Sequence, residues 1–193
     1  MNLDFVLNDD LQSPETATSG DAAYGALRGP SSIQPWENGN VPASKVALSI
    51  EIGKQLQSYR DLSGSDLFGS AAICFQFIWA MDANCQIYVA FEELWSQPAS
   101  SGEENRTGHP RRRGFPAHPA EEKKLGHPTL LEGGPARAAG ELFLDEDGSK
   151  LQWYVNVASG RYCRLIPPTQ EQCGALHRLF TEMIDSDILW DGL

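Results

Sequence analysis

Apolar residues in this chain fall into discrete stretches separated by polar, Gly- and Pro-rich segments, and each stretch has its own period. Residues 71–95, "AAICFQFIWAMDANCQIYVAFEELW", hold two arms rich in β-branched and aromatic side chains, with Asp82-Ala83-Asn84 as turn chemistry between them. That pattern predicts a hairpin, and its first arm, apolar on both faces, predicts a central strand. Residues 140–159, "GELFLDEDGSKLQWYVNVAS", alternate, and Asp147-Gly148 is a strong two-residue hairpin signal. A turn closed on that dipeptide sets Glu146 opposite Ser149, Leu144 opposite Leu151, Leu142 opposite Trp153 and Glu141 opposite Tyr154. The large apolar side chains then share one face, continued by Val155 and Val157, with Phe143 and Tyr154 on the other; a one-residue slip destroys that face.

Two stretches have a helical period. After Pro167-Pro168, Thr169 and Gln172 form a capping box, and Cys173, Leu176, Phe180, Met183 and Ile184 follow as one stripe. His177 lies beside the stripe and is expected to pack there. Over Ser44–Tyr59 a helix capped by Ser44 is expected, although 47–52 also alternates like a strand. Leu189 and Trp190 are expected to fold back onto the body. Residues 97–126 lack a period and are expected to form a long loop. Residues 1–42 set Asp4, Asp9, Asp10, Glu15, Asp21 and Glu37 against Arg28 alone, a composition expected of a flexible acidic arm. The expected organisation is that arm followed by a single α+β domain over 43–193. Its core is an antiparallel sheet or partial barrel built from hairpins, with a C-terminal packing helix.

Charge narrows the partners. A formal net charge of −11 argues against nucleic acid, whose phosphates require clustered Lys and Arg, and favours a neutral or basic protein partner. The Arg111-Arg112-Arg113 run is short and followed closely by Glu121-Glu122, which reads as a solvated loop. Cys74, Cys85, Cys163 and Cys173 show no C-x-x-C spacing and are expected to be buried or free thiols. The apolar run 71–81 is about half the ~20 residues of a membrane helix, so no membrane partner is expected. The opening residues lack the basic and apolar regions of a Sec signal, which predicts a cytoplasmic protein, though signal-less secretion leaves no such mark.

Catalytic signatures are sparse. The sequence holds no P-loop, GxGxxG, HExxH or GxSxG, and no histidine pair has metal-ligand spacing, so neither cofactor nor metal is expected. Chemistry-bearing residues concentrate in 125–169, around His127, Glu141, Arg161 and Tyr162. Two readings of these four compete. In one, His127 and Tyr162 form a buried polar clasp, with the imidazole as partner of the phenol. In the other, the four line a ligand pocket in which His127 acts as acid or base on an anionic substrate.

The same segment carries a compound motif: His127, Thr129, Leu130, Gly133-Gly134, Ala138-Ala139-Gly140, Leu142, Asp147-Gly148, Ser159-Gly160, Tyr162 and Pro167. It resembles the C-terminal module of the plant calmodulin-binding IQ-motif protein family and its fungal and bacterial relatives, over about half the chain (73–184). The resemblance implies a strongly β-containing module and, among bacterial members, an effector- or toxin-associated setting. Arg161 departs from the family's usual histidine. The IQ element is missing as well: Ile33-Gln34 runs into Pro35-Trp36-Glu37-Asn38 without the required Arg and Gly. Calmodulin binding is therefore not expected. The functional expectation is a non-enzymatic interaction protein, effector-associated or immunity-type; the alternative is a small enzyme or ligand-binding effector using the four residues named.

Overall fold

A computed structural model describes residues 19–64, 73–96, 106–111, 123–148 and 150–192. Its centre is the 71–95 hairpin: β2 (Gln76–Met81) and β3 (Ile87–Phe91) pair antiparallel across the Asp82 turn. The Asp82 carboxylate accepts from the backbone N–H groups of Asn84 and Gln86 and so shapes that turn. On its other edge β2 pairs with β7 (Ala138–Asp147), so the doubly apolar arm is a central strand, buried from Phe77 to Met81. β8 (Lys150–Val155) follows β7. The two-residue strands β1 (Val46–Ala47) and β9 (Leu189–Trp190) close the two ends of a six-stranded sheet ordered β1-β3-β2-β7-β8-β9. The β8–β9 pair is parallel and the others antiparallel. β1 and β9 remain separate edges, so the expected partial barrel is not formed: the sheet is open.

One face of this sheet is covered by α2 (Ile50–Ser63) and α3 (Gln170–Met183). Tyr59 of α2 stands edge-on to Phe77 at 6.0 Å, and Phe180 of α3 lies 5.1 Å from Trp79. Leu142, Leu144, Trp153 and Val155 complete that layer, all essentially without exposure. The capping box of α3 is present in full: the Thr169 hydroxyl accepts from the Gln172 N–H, and the Gln172 side chain accepts from the Thr169 N–H. His177 packs as expected, its Nε2 donating to the Ile188 carbonyl at 2.8 Å beside the Trp190 ring.

Three expectations are corrected. In the β7–β8 hairpin Gly148 stands at φ +64° and Asp147 pairs with Lys150, so Leu144, not Leu142, faces Trp153. Phe143 thus replaces Glu141 opposite Tyr154, and the two rings stack at 5.7 Å. This two-residue offset preserves parity, and the buried face survives it. Second, α2 begins at Ile50 and is capped by Ser49, while Ser44 binds Glu93. The helical and strand readings of that stretch divide between α2 and β1.

Third, the loop expected over 97–126 contains strand. β4 (Glu93–Ser96), β5 (Arg106–Pro110) and β6 (Lys123–Lys124) make a three-stranded sheet ordered β5-β4-β6. Residues 97–105 and 112–122, with His118, lie outside the described residues. So do residues 1–18 of the expected arm. Residues 19–42 run along the body: α1 (Ser19–Tyr24) packs on α3, Asp21 pairs with buried Arg137, and Glu37 is itself buried. Composition had no means of revealing those specific partners.

Candidate functional site

The Gly134–Gly140 segment is fixed at both ends by the two residues singled out in the sequence. His127 opens a buried 3₁₀ turn, His127–Leu131, set by Pro128 and the preceding extended Gly126. Its Nε2 lies 2.9 Å from the Gly140 carbonyl oxygen. A carbonyl only accepts, so Nε2 carries the proton and the ring is in one tautomer. Burial drives the imidazole pKa down from 6.5 to about 4, against the pull of the Gly140 carbonyl and the Glu92 charge. His127 is therefore neutral at pH 7. Tyr162 fixes the other end: its hydroxyl donates to the Gly134 carbonyl at 2.7 Å. Burial foremost, and then the Glu37 charge, raise its pKa, so it stays a phenol. The expected His127–Tyr162 hydrogen bond is not made; each side chain holds a glycine carbonyl instead.

The small residues between them have a steric cause. Gly140 lies opposite Trp79, and a Cβ there would stand 1.9 Å from the Asn156 carbonyl oxygen. That carbonyl accepts from Trp79 Nε1 at 3.1 Å, so strand, indole and the exit from β8 meet at one point. Ser159 caps the loop that presents Tyr162, its hydroxyl accepting from the Tyr162 N–H, and Cys163 Sγ reaches the Ala139 carbonyl.

Arg161 and Glu141 do not join this clasp. The Arg161 guanidinium donates to the Ser32 carbonyl at 2.6 Å and to Glu37 Oε2 at 3.1 Å. Glu37 in turn accepts from the N–H groups of Gly126 and Gln34. Arg161 thus ties residues 31–37 to the start of the His127 turn. Glu141 lies half-buried on β7, and burial raises its carboxyl pKa against hydrogen bonding from Asn156, with the Glu92 charge adding to the rise.

Sequence reading missed four buried carboxylates, Glu37, Glu92, Glu93 and Asp185, the last paired with Arg60. Glu92 is 5% exposed at its side chain and binds Arg111 at 2.9 Å and Lys124 at 2.6 Å. Burial resists its ionisation, but those two cations outweigh burial and hold its carboxyl below the usual range. Glu93 accepts from the Ala43 and Ser44 N–H groups and the Ser44 hydroxyl, and Glu37 makes the bonds just described. The sequence signal for Glu92 and Glu93 is a Glu-Glu doublet closing an apolar arm; the cations that bind Glu92 lie 19 and 32 positions away. Among the described residues, no group of three or more His, Cys, Asp or Glu is placed to hold a metal ion. The four cysteines are free thiols. No helix among the described residues is long and apolar enough to cross a membrane.

No family model, curated protein or solved structure matches the chain. The class defined by the coordinates is an α+β protein with a mixed, mostly antiparallel six-stranded sheet and a C-terminal helix.

Proposed function

We propose that this chain is a non-enzymatic interaction protein that binds a neutral or basic protein partner. The observation that carries this reading is the engagement of the motif residues. His127 and Tyr162 are buried and hold backbone carbonyls, and Arg161 is bound to Glu37 and Ser32. A general base needs a free, protonatable ring near the working pH; His127 offers a neutral ring already committed to the fold. The net charge of −11 supports attraction to a basic surface. An effector-associated or immunity-type role, and kinship with the IQ-motif protein family, are proposals that rest on the sequence motif alone. Affinity capture with the intact chain tests the reading. A stoichiometric basic protein released by rising salt is expected; a salt-insensitive acidic partner overturns it.

One observation favours the second reading, a ligand pocket at this site. The Glu92 charge adds to the rise at Glu141, and the two carboxyls are shifted in opposite directions, an arrangement that separates acid from base in many enzymes. Under that reading, Glu141→Gln abolishes ligand binding or turnover and leaves the unfolding midpoint nearly unchanged.

A further inference from the structure

The chain contains one Asn-Gly dipeptide, Asn38-Gly39, and it lies in the turn over 35–39 that presents Glu37 to the His127 turn. Asn40 closes that turn twice: its backbone N–H donates to the Glu37 carbonyl at 3.3 Å and its side chain to the Trp36 carbonyl at 2.8 Å. Trp36 Nε1 donates in turn to the Lys124 carbonyl at 3.0 Å, and Glu37 holds Arg161, Gly126 and Gln34. The residues on either side of the dipeptide are thus engaged. Asn38 and Gly39 themselves are exposed. Among the described residues, neither the Asn38 carboxamide nor the Gly39 N–H has a hydrogen-bond partner. Gly39 stands at φ +73°, and a Cβ there would meet nothing within 4 Å.

The other asparagines of the described residues are protected. Asn156 is buried, its carboxamide accepting from the Glu141 and Ala158 N–H groups and donating to Asp191. The Asn40 carboxamide is committed to Trp36. After Asn84 the next backbone amide, that of Cys85, donates to the Asp82 carbonyl at 3.2 Å.

An unbonded carboxamide beside an unhindered glycine nitrogen has a reaction open to it, and asparagine is among the thermolabile residues. The Gly39 nitrogen attacks Asn38 Cγ, and the new bond closes a five-membered imide. The Cγ–Nδ2 bond breaks, and Nδ2 leaves as ammonia with the proton that the Gly39 nitrogen gives up. Water then adds to one of the two imide carbonyls. Opening at Cγ leaves aspartate; opening at the main-chain carbonyl leaves isoaspartate, with the chain running on through Cβ and Cγ. Carboxamide and water become carboxylic acid and ammonia, with no electron transferred. Glycine favours the attack twice, since no side chain shields its nitrogen and its backbone turns freely towards Cγ.

We propose that Asn38 is a modification site, at which the chain converts itself to aspartate and isoaspartate, and that the isoaspartate form loosens the Glu37 anchor. Isoaspartate lengthens the main chain by one bond between Glu37 and Asn40. The Asn40–Glu37 and Asn40–Trp36 bonds no longer close over the same span, and the contacts of Glu37 with Arg161 and Gly126 are carried on that turn.

Storage of the intact chain in warm, neutral buffer, followed by anion exchange and peptide mapping, tests both parts. Two products more acidic than the starting chain are expected, each with the mass change from carboxamide to carboxyl at Asn38. Asn38→Gln keeps Gly39 and the turn but would need a six-membered ring, and should lose the conversion. Asn38→Asp adds the charge without the longer backbone and should leave the unfolding midpoint nearly unchanged, whereas the isolated isoaspartate fraction should unfold at a lower one. A chain unchanged by storage, conversion at Asn84 as fast as at Asn38, or conversion at Asn38 far slower in the native chain than in urea overturns the site. An isoaspartate fraction with the midpoint of the starting chain overturns the loosened anchor.

Discussion

His127 is neutral in the folded chain and titrates near 6.5 once unfolded, so acid acts on the two states at different pH. As pH falls from about 6.5 towards 4, the unfolded chain takes up the proton first. The stability tied to this ring is therefore complete above about 6.5 and declines through that window, by at most ~3 kcal/mol. Glu141, with its raised pKa, has the opposite sign, and Glu92, held below its ordinary value, acts at lower pH. Comparison of the chain with His127→Gln isolates the histidine: urea midpoints measured from pH 7 to 4.5 should fall less steeply in the variant. Parallel profiles refute the buried neutral ring. His127→Ala leaves the buried Gly140 carbonyl without its donor and should cost about 1–3 kcal/mol at pH 7; Tyr162→Phe should cost about 1 kcal/mol. An unfolding curve unchanged by His127→Ala, together with lost partner binding, would favour the pocket over the clasp.

The β7–β8 hairpin and α3 are the elements whose physics is most local. Trp153 is wholly buried between Leu144, Phe77 and Tyr59, so Trp153→Ala should cost about 3–5 kcal/mol, read from denaturant midpoints. Gly140→Ala drives a methyl group into the Asn156 backbone, and no flexible side chain there can yield. A loss of ~3 kcal/mol or more is expected, with Gly148→Ala much milder because its Cβ would meet open space and only its positive φ opposes it. Thr169→Ala, which removes the N-cap of α3, should cost about 1 kcal/mol. A Gly140→Ala variant as stable as Gly148→Ala would show that the strand crossing is looser than its geometry.

At the scale of the whole molecule, charge governs partners, and the expected outcome with two particular ones is negative. Neither calmodulin, with or without calcium, nor duplex DNA should bind at physiological salt; a saturable micromolar calorimetric titration with either would refute the charge and motif reasoning. The two hairpins, the C-terminal helix and the faces they bury were legible in sequence because they depend on period, caps and turn residues within a few positions. The capping box of α3, the central strand β2 and the layer of Leu142, Leu144, Trp153 and Val155 are all of this kind. Hairpin register was legible only to parity, because inward and outward alternation is blind to a slip of two. His127 and Tyr162 were legible as a pair of interest, but not their acceptors, since a carbonyl oxygen is present at every residue and only packing selects Gly134 and Gly140. The ion pairs of Glu37, Glu92 and Asp21 join residues 19 to 124 positions apart, where no local period exists. Sequence by itself therefore determined the two hairpins that centre the sheet, the C-terminal helix and the side chains that these turn inward. Tertiary structure alone decided that the sheet stays open, that residues 19–42 lie against it, and which carboxylates are buried, because those outcomes depend on long-range partners that no short stretch encodes.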